Sequence, residues 1–457
     1  MKKISIALWL LNSDLTTPAL SDILEYAGTD SFAEAKERIL KEIKEKKLDY
    51  VYEKIELPLI PIIKKAEDYG VLIDVEYMKK LSDEYHKKLS ALEKGIYALA
   101  GSEFNINSPK QMGEVLFDKM NLTAKGLKKT AGGARSTRES ELEKLKDSHP
   151  IIEKILDYRE LQKLLSTYVD TIPKMVDGKF RLHTTLNQAG TTTGRMSSNN
   201  PNLQNIPVRG DYGNEVRKGF ISANKYKWIA CDYSQIEMRV LALFSGDENL
   251  IDMFKNGKDV HSGVASFVFG VPEDKVTKDM RRQAKVINFG IVYGMGVNAL
   301  KANLGSTREE AQIFYDNYFK AFPKIRNYFE TVKKEALQRG YTETLFGRRR
   351  YFPGLKSKIP FVKAMAERMA VNAPLQGTAA DIIKIAMQEV DEELKKAGLE
   401  GNVHLLLQVH DELIYEAEDA IVEKARDLIK KVMEGAVESR LILGANVSVG
   451  KNWGEMR

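Results

Sequence analysis

Residues 404–418 read HLLLQVHDELIYEAE. Two apolar runs of strand length flank His410, Asp411 and Glu412, and the apolar pattern resumes at Leu413 and Ile414. Runs of this kind suit buried strands. The segment is therefore expected to form an apolar hairpin with adjacent acids at its tip. Strand side chains alternate between two faces. On that pattern Leu405, Leu407, Val409 and Asp411 share one face, while His410 and Glu412 point the other way.

A second apolar strand ends in an acid. In WIACDYSQIEMRVLALFSGD (228–247), Trp228 to Cys231 read as a buried strand with Asp232 at its end. Ile236, Val240, Leu241 and Phe244 then recur at helix spacing. An acid at the end of a buried strand is costly unless something pairs with it. One role for Asp232 is to cap the following helix. The other is to converge with Asp411, forming an oxygen-rich site suited to Mg²⁺. Two such ions can bridge the attacking and leaving oxygens of a phosphoryl transfer.

Around these strands the chain reads mainly as helix. Residues 1–56 look like a small α/β piece, and LPLIPII (57–63), with two prolines, marks a seam. An amphipathic helix is expected to end at Gly101. Residues 121–138 contain five cations, three glycines and no acid. They form either a solvated linker or a loop that tracks phosphates. Helix is expected over 139–175, short strands and loops over 178–245, and mostly helix over 250–340. A helical stretch over 361–397 should be interrupted at Pro374 and stop near Gly398. Strand, helix and strand then alternate over 402–457. The class is α+β, with helical insertions between parts of a sheet.

The 457 residues suffice for two or three domains, and 70 basic against 64 acidic residues give a formal net charge of +6. This mild basic bias permits nucleic-acid binding without establishing it. The single cysteine, Cys231, excludes an intrachain disulfide or a Cys-rich zinc site and fits a reducing compartment. A charged fraction of 29% leans towards a heat-adapted source. The apolar run after Met1 is too short to span a membrane. It has no A-x-A cleavage pattern, so a buried strand or helix is expected in place of a signal peptide. The chain reads as cytoplasmic.

Three further stretches carry candidate binding groups. In DMRRQAKVINFGIVYGM (279–295), Arg281, Lys285, Phe289 and Tyr293 are each four residues apart. They would cover one helix face about 18 Å long, with cations placed for phosphates and aromatics placed to stack on a base. Solvated cations and core aromatics would give the same spacing. Gly290 and Gly294 weaken this helix and call for close approach or hinging. In AERMAVNAPLQGTAADIIK (366–384), Arg368, Asn372 and Gln376 repeat the stride with hydrogen-bonding ends, suited to groove edges or simply to water. TTTGRMSSNNPNLQNIPVRG (191–210) is loop-like, and its Arg195, Asn202, Gln204 and Arg209 suit phosphate and sugar contacts.

In this order, DYSQIEMRVLA, RRQAKVINFGIVYG, AERMAVNAPLQGTAADIIK and QVHDEL resemble the polymerase motifs of bacterial family A DNA polymerases. TGRMSSNNPNLQNIPVR and TLFGRRRYFPGL look like further blocks of the same family. The resemblance covers roughly residues 57–457. It implies a right-hand fold, with a thumb at about 75–175, a palm at about 176–250 and 363–457, and fingers at about 251–362. It implies that Asp232 and Asp411 hold two Mg²⁺ ions (Mn²⁺ being an alternative), with the Tyr233 carbonyl as a further ligand. Glu412 is implied to be an auxiliary acid near the catalytic pair, not a required ligand. Arg281 and Lys285 match the cations that hold the incoming triphosphate, Lys285 also in a catalytic role, and His261 matches another phosphate contact. Phe289 and Tyr293 match residues shaping the nascent base pair. Gln235 and Glu237 match incoming-nucleotide contacts, Glu237 as the steric gate against a ribose 2′-OH. Arg195, Asn202, Gln204, Arg368, Asn372, Gln376 and His410 match primer–template contacts, and the loop at 121–138 falls in the thumb.

The implied partners are a primer–template duplex and dNTPs, the implied state a monomer, and the implied roles replication and repair. A single-subunit RNA polymerase and a metal-dependent nuclease are the alternatives. Glu237 and Phe289 favour deoxynucleotides, and a nuclease would not need the Arg281–Lys285 helix. Residues 1–56 resemble the back end of an exonuclease-like domain and lack its D-x-E metal pair. They are expected to be an inactive, truncated remnant, and no proofreading or 5′-nuclease activity is expected.

Overall fold

The computed structural model describes residues 1–124, 126–130, 132–207, 210–438 and 443–456. It forms two compact units, each assembled from separate stretches of chain. The first comprises residues 1–68, 185–199 and 225–449; the second comprises 69–184, 200–224 and 450–457.

The first unit is built around a four-stranded sheet. Its strands are β1 (Tyr226–Tyr233), β2 (Val403–Val409), β3 (Glu412–Glu418) and β4 (Ala445–Gly450), in the spatial order β4-β1-β3-β2. β1 and β3 are antiparallel, with Cys231 opposite Leu413 and Asp232 opposite Glu412. β2 and β3 form the expected hairpin. Three helices matter for the site: α1 (Ile236–Ser245), α2 (Lys278–Val292) and α3 (Pro360–Lys396). One core joins the sheet to them, with Ile229, Cys231, Leu413 and Tyr415 from the strands and Leu241, Ile287, Ile383 and Met387 from the helices. The α+β expectation therefore holds.

Three expectations about this unit need correction. Residues 1–56 contain no strand: they form helices Lys2–Leu11, Leu20–Ala27 and Phe32–Glu45, then a π-helical turn Val51–Glu56. The Lys2–Leu11 helix is apolar on nearly every side and seven of its residues are buried, so periodicity could not separate helix from strand. LPLIPII is not a break, because the chain runs from that π turn directly into a helix over Leu57–Tyr69. Pro58 and Pro61 are both carried within this continuous helical run, with Leu59, Ile62 and Ile63 buried beside them. Pro374 does not interrupt α3 either, which continues for 37 residues. Ala370, Val371, Ala373 and Leu375 are buried around it, and this packing outweighs the lost backbone bond. The helix does stop as expected, just before Gly398, which has φ +68°.

A buried charge cluster ties residues 1–56 into the first unit. Glu56 accepts from Lys384 Nζ at 2.6 Å and from Arg348. Arg348 Nε donates to Asp381 at 2.8 Å, and the Thr344 hydroxyl donates to the other Asp381 oxygen at 2.7 Å. The Trp9 ring lies 5.0 Å from the Arg348 guanidinium and 5.1 Å from Lys384 Nζ. All four charged side chains are buried.

In the second unit, Asp74 caps a helix over Val75–Ala100, which ends at Gly101 as expected. It packs on a helix over Pro150–Leu164, with Ile96, Leu116, Ile152 and Ile155 in the core. Within the acid-free loop, Arg135 pairs with Asp118 and covers the Phe117 ring, and Lys129 bridges Arg135 through the backbone. That cation is therefore held against its own unit. Trp453 packs edge-on against Phe220 at 5.3 Å and under Arg217 at 4.2 Å. Among the described residues no helix is long and apolar enough to cross a membrane.

Candidate active site

The end of β1 and the hairpin tip bring two carboxylates together. The tip is a two-residue turn, His410-Asp411, with His410 at φ +53°. Asp411 is thus a turn residue rather than a continuation of the Val409 face. A bulge between Leu405 and Leu407 also breaks the strict alternation along β2. The outcome nonetheless resembles the expectation, because Tyr233 N–H donates to the Asp411 carbonyl at 3.1 Å. This bond fixes the turn against the strand end that carries Asp232.

Asp232 does not cap α1. Gln235 is the N-cap, at φ +55°, and the cap has no side-chain bond. Asp232 is exposed on its outer side, yet it lies in a recess of protein atoms. This crowding, followed by the Asp411 carboxylate, pushes its pKa up to about 7 from 3.8. Burial raises Asp411 as well, against the pull of Arg195 and His410. Glu412 sits opposite Asp232 in the β1–β3 register.

Arg195 links this pair to α1. Its Nη2 donates to Glu237 Oε1 at 2.6 Å and lies 3.8 Å from Asp411 Oδ1. Glu237 is buried, and the Tyr293 phenol lies beside its carboxylate. Burial raises the Glu237 pKa, with Arg195 opposing. Burial and then Glu237 push the Tyr293 phenol up to about 12, so these side chains are electrostatic neighbours. The Gln235 Oε1 atom is also buried without a partner.

Helix α2 carries Arg281, Lys285 and Phe289 as expected, but Tyr293 is its C-cap and lies just beyond its end. Phe289 and Tyr293 stack at 6.4 Å with 23° between planes, and Lys285 Nζ lies 5.9 Å from the Phe289 ring. Gly294 has φ +69°, and a side chain there would meet the Arg368 backbone at 3.2 Å. Close approach to α3 is thus the reason for this glycine. Arg368 is exposed, and Asn372 and Gln376 are partly exposed along α3.

One neighbour of α2 escaped sequence reading. Asp259 takes a bidentate pair from Arg281, at 3.0 and 2.7 Å. Despite burial, the Arg281 pair and Ser262 hold the Asp259 pKa down at about 2. An Asp three residues before Ser262, at a helix start, was the available signal. His261 is buried, and Asn288 lies 3.0 Å from its Nδ1. Burial lowers the His261 pKa to about 4, which favours the neutral imidazole at pH 7. Asn202 and Gln204 belong to the second unit, where the Asn202 side chain caps a short turn at Gln204 N–H. Arg209 lies outside the described residues.

The two carboxylates set a pH dependence. The folded pKa of Asp232 is about 7 and its ordinary value is 3.8. The folded state therefore holds this proton more tightly than the unfolded chain. Stability from the pair is fullest below the unfolded value and is lost as pH rises through the folded value. In metal-free protein, Asp232→Asn should raise the melting temperature at about pH 8 and have little effect at about pH 4. Equal effects at both pH values, read by scanning calorimetry, would contradict the raised Asp232 pKa.

A model of DNA polymerase family A matches residues 75–455. The thermostable DNA polymerase I of Thermus aquaticus is 47% identical over 410 residues, covering 90% of this chain and 49% of that protein. DNA polymerase I of Bacillus subtilis is 44% identical over 441 residues, covering 95% of this chain and 49% of that protein. The polymerase domain of Pol1 from M. smegmatis, solved in complex with DNA primer-template and dNTP, matches with a TM-score of 0.94 at 34% identity. That match covers 99% of this chain and 82% of the solved one. The chain spans about half the length of the curated relatives it matches.

Proposed function

The chain belongs to DNA polymerase family A and has that family's α+β polymerase fold, and on this premise we propose that it extends a DNA primer by template-directed addition of deoxynucleotides. The observation that carries the proposal is the convergence of Asp232 and Asp411, with Arg195 joining Asp411 to Glu237. We assign the sheet, α1 and most of α3 to a palm, residues 251–362 to fingers and 75–175 to a thumb. Residues 1–56 are the exonuclease-like remnant in this reading, and the active species is a monomer.

Asp232 and Asp411, with the Tyr233 carbonyl, would hold Mg²⁺. The fit rests on an all-oxygen donor set and on the burial of Asp232 beside a second carboxylate, Asp411, which together raise its pKa. Among the described residues no group of three or more His, Cys, Asp or Glu can hold a metal ion. Two carboxylates completed by substrate phosphates are a usual Mg²⁺ arrangement. When bound, two such ions would supply Lewis-acid activation of the attacking and leaving oxygens.

The other residues position and neutralise. Arg281 would exchange Asp259 for the triphosphate, and Lys285 would add a second cation one turn further along α2. Neutral His261, with Nδ1 facing Asn288, would donate from Nε2. Phe289 and Tyr293 would pack on the new base pair. Gln235 Oε1 is free to accept a bond from the incoming nucleotide. Glu412 would assist from the strand beside Asp232. Arg368, Asn372, Gln376 and His410 would hold the primer–template; Asn202 and Gln204 are assigned to DNA contacts as well.

Glu237, buried beside Arg195 and Tyr293, would crowd a ribose 2′-OH. Glu237→Ala should raise ribonucleotide incorporation by about tenfold or more relative to dNTPs. Unchanged sugar selectivity in single-nucleotide extension would remove the gate. The function itself is tested by primer extension on DNA with each nucleotide class. We expect dNTP-dependent extension and no excision of a mismatched primer end. Absence of extension under all metal conditions would refute the proposal.

A further inference from the structure

The N-terminal end of α3 carries a surface that the proposed machinery does not use. Phe361 is 72% exposed, Ile359 60% and Met365 40%. Exposed large apolar side chains grouped in this way mark a binding surface more often than chance. Between Glu343 and Glu367 the sequence holds six cations and no acid. Arg348 and Arg349 are paired within the fold. Lys356, Lys358 and Lys363 are exposed.

This patch continues a face already assigned. At 100° per residue, Phe361, Met365, Arg368, Asn372 and Gln376 fall within an arc of about 80°. All five are exposed or partly exposed, whereas Ala366, Ala370 and Ala373 face a core. One open stripe thus runs from the polar residues proposed to hold primer–template to an aromatic, cation-flanked end. Apolar and aromatic groups interleaved with lysines suit unpaired bases and their phosphates. The lack of acids complements a polyanion.

We infer that the Ile359–Met365 patch binds the single-stranded template ahead of the primer terminus. This inference rests on the polymerase reading above. Phe361 lies about 10 Å along the helix from Arg368. At 3.4 Å per nucleotide, that spans about three nucleotides. The patch therefore engages an overhang only when it is longer than that.

The test is equilibrium binding of the whole chain to primer–templates whose 5′ template overhangs are one or six nucleotides long, read by fluorescence anisotropy. Wild type should bind the longer overhang about tenfold tighter, as expected for stacking of a base. Phe361→Ala combined with Ile359→Ala should remove that gain and leave the one-nucleotide substrate unaffected. Lys→Gln at 356, 358 and 363 together should lower the salt slope on the longer overhang by about 2. The inference is overturned if the gain survives both sets of substitutions. It is equally overturned if both substrates weaken alike, or if only substrates with a displaced downstream strand respond. A wild-type dimer that dissociates on Phe361→Ala would assign the patch to self-association instead and also overturn it. Failure of the underlying reading would show separately, as absence of wild-type primer extension.

Discussion

Asp411→Ala should slow nucleotide addition by about a thousandfold or more, the loss expected when several kcal/mol of charge stabilisation are removed. The structure supplies a control within the same experiment. Asp411 is held by its backbone, through Tyr233 N–H, so removing the carboxylate need not disturb the turn. Removal also relieves the repulsion that Asp411 adds to the burial of Asp232. The variant should therefore melt no lower than wild type in the absence of metal. Primer–template binding should survive, because the residues assigned to it lie on α3 and on the loops. Glu412→Ala should cost far less, since Glu412 is a register neighbour of Asp232 and not a required metal ligand. Single-turnover extension, melting and DNA binding on the same preparations would decide. Near-normal extension by Asp411→Ala would end the two-carboxylate assignment.

Glu56→Ala should destabilise the first unit by about 3–5 kcal/mol, the usual loss when a buried ion cluster is broken on one side. Glu56 receives both Lys384 and Arg348. Without it, two buried cations share Asp381 alone. Burial already lowers Lys384 to about 8, with Glu56 opposing that shift. Removing Glu56 would drive it lower and favour loss of its proton. The prediction concerns breaking the cluster one partner at a time. Exchange of all four charges for packed apolar groups can be neutral. Urea unfolding of the full chain measures the effect, and a loss below about 1 kcal/mol would show that the charges relax into water. A large loss would make residues 1–56 a structural part of the first unit, whatever other function they have.

Much of the site was legible because its chemistry sits at places where local patterns break. Asp232 and Asp411 were visible as acids where apolar strands end, and α2 was visible through its four-residue stride. The detail that went wrong was geometric. A bulge near Leu406 and a tight turn at His410 place Asp411 by backbone bonding, not by alternation. Side chains whose partners lie far along the chain left no local signal. Glu56 meets residues some 290 and 330 positions away, and sequence spacing cannot reveal that. Asp259 was legible as a helix cap but not as the partner of Arg281. The uninterrupted course of α3 through Pro374 reflects burial, which overrides local propensity.

The order of the chain also bears on how the second unit is completed. Its residues 69–184 and 200–224 are followed by more than two hundred residues of the first unit, 225–449, before 450–457 return to it. Trp453, which packs on Phe220 and Arg217, arrives with that returning segment. During synthesis most of the second unit therefore emerges more than two hundred residues before the tryptophan that packs on it. Until Trp453 emerges, the Phe220 ring lacks this packing partner.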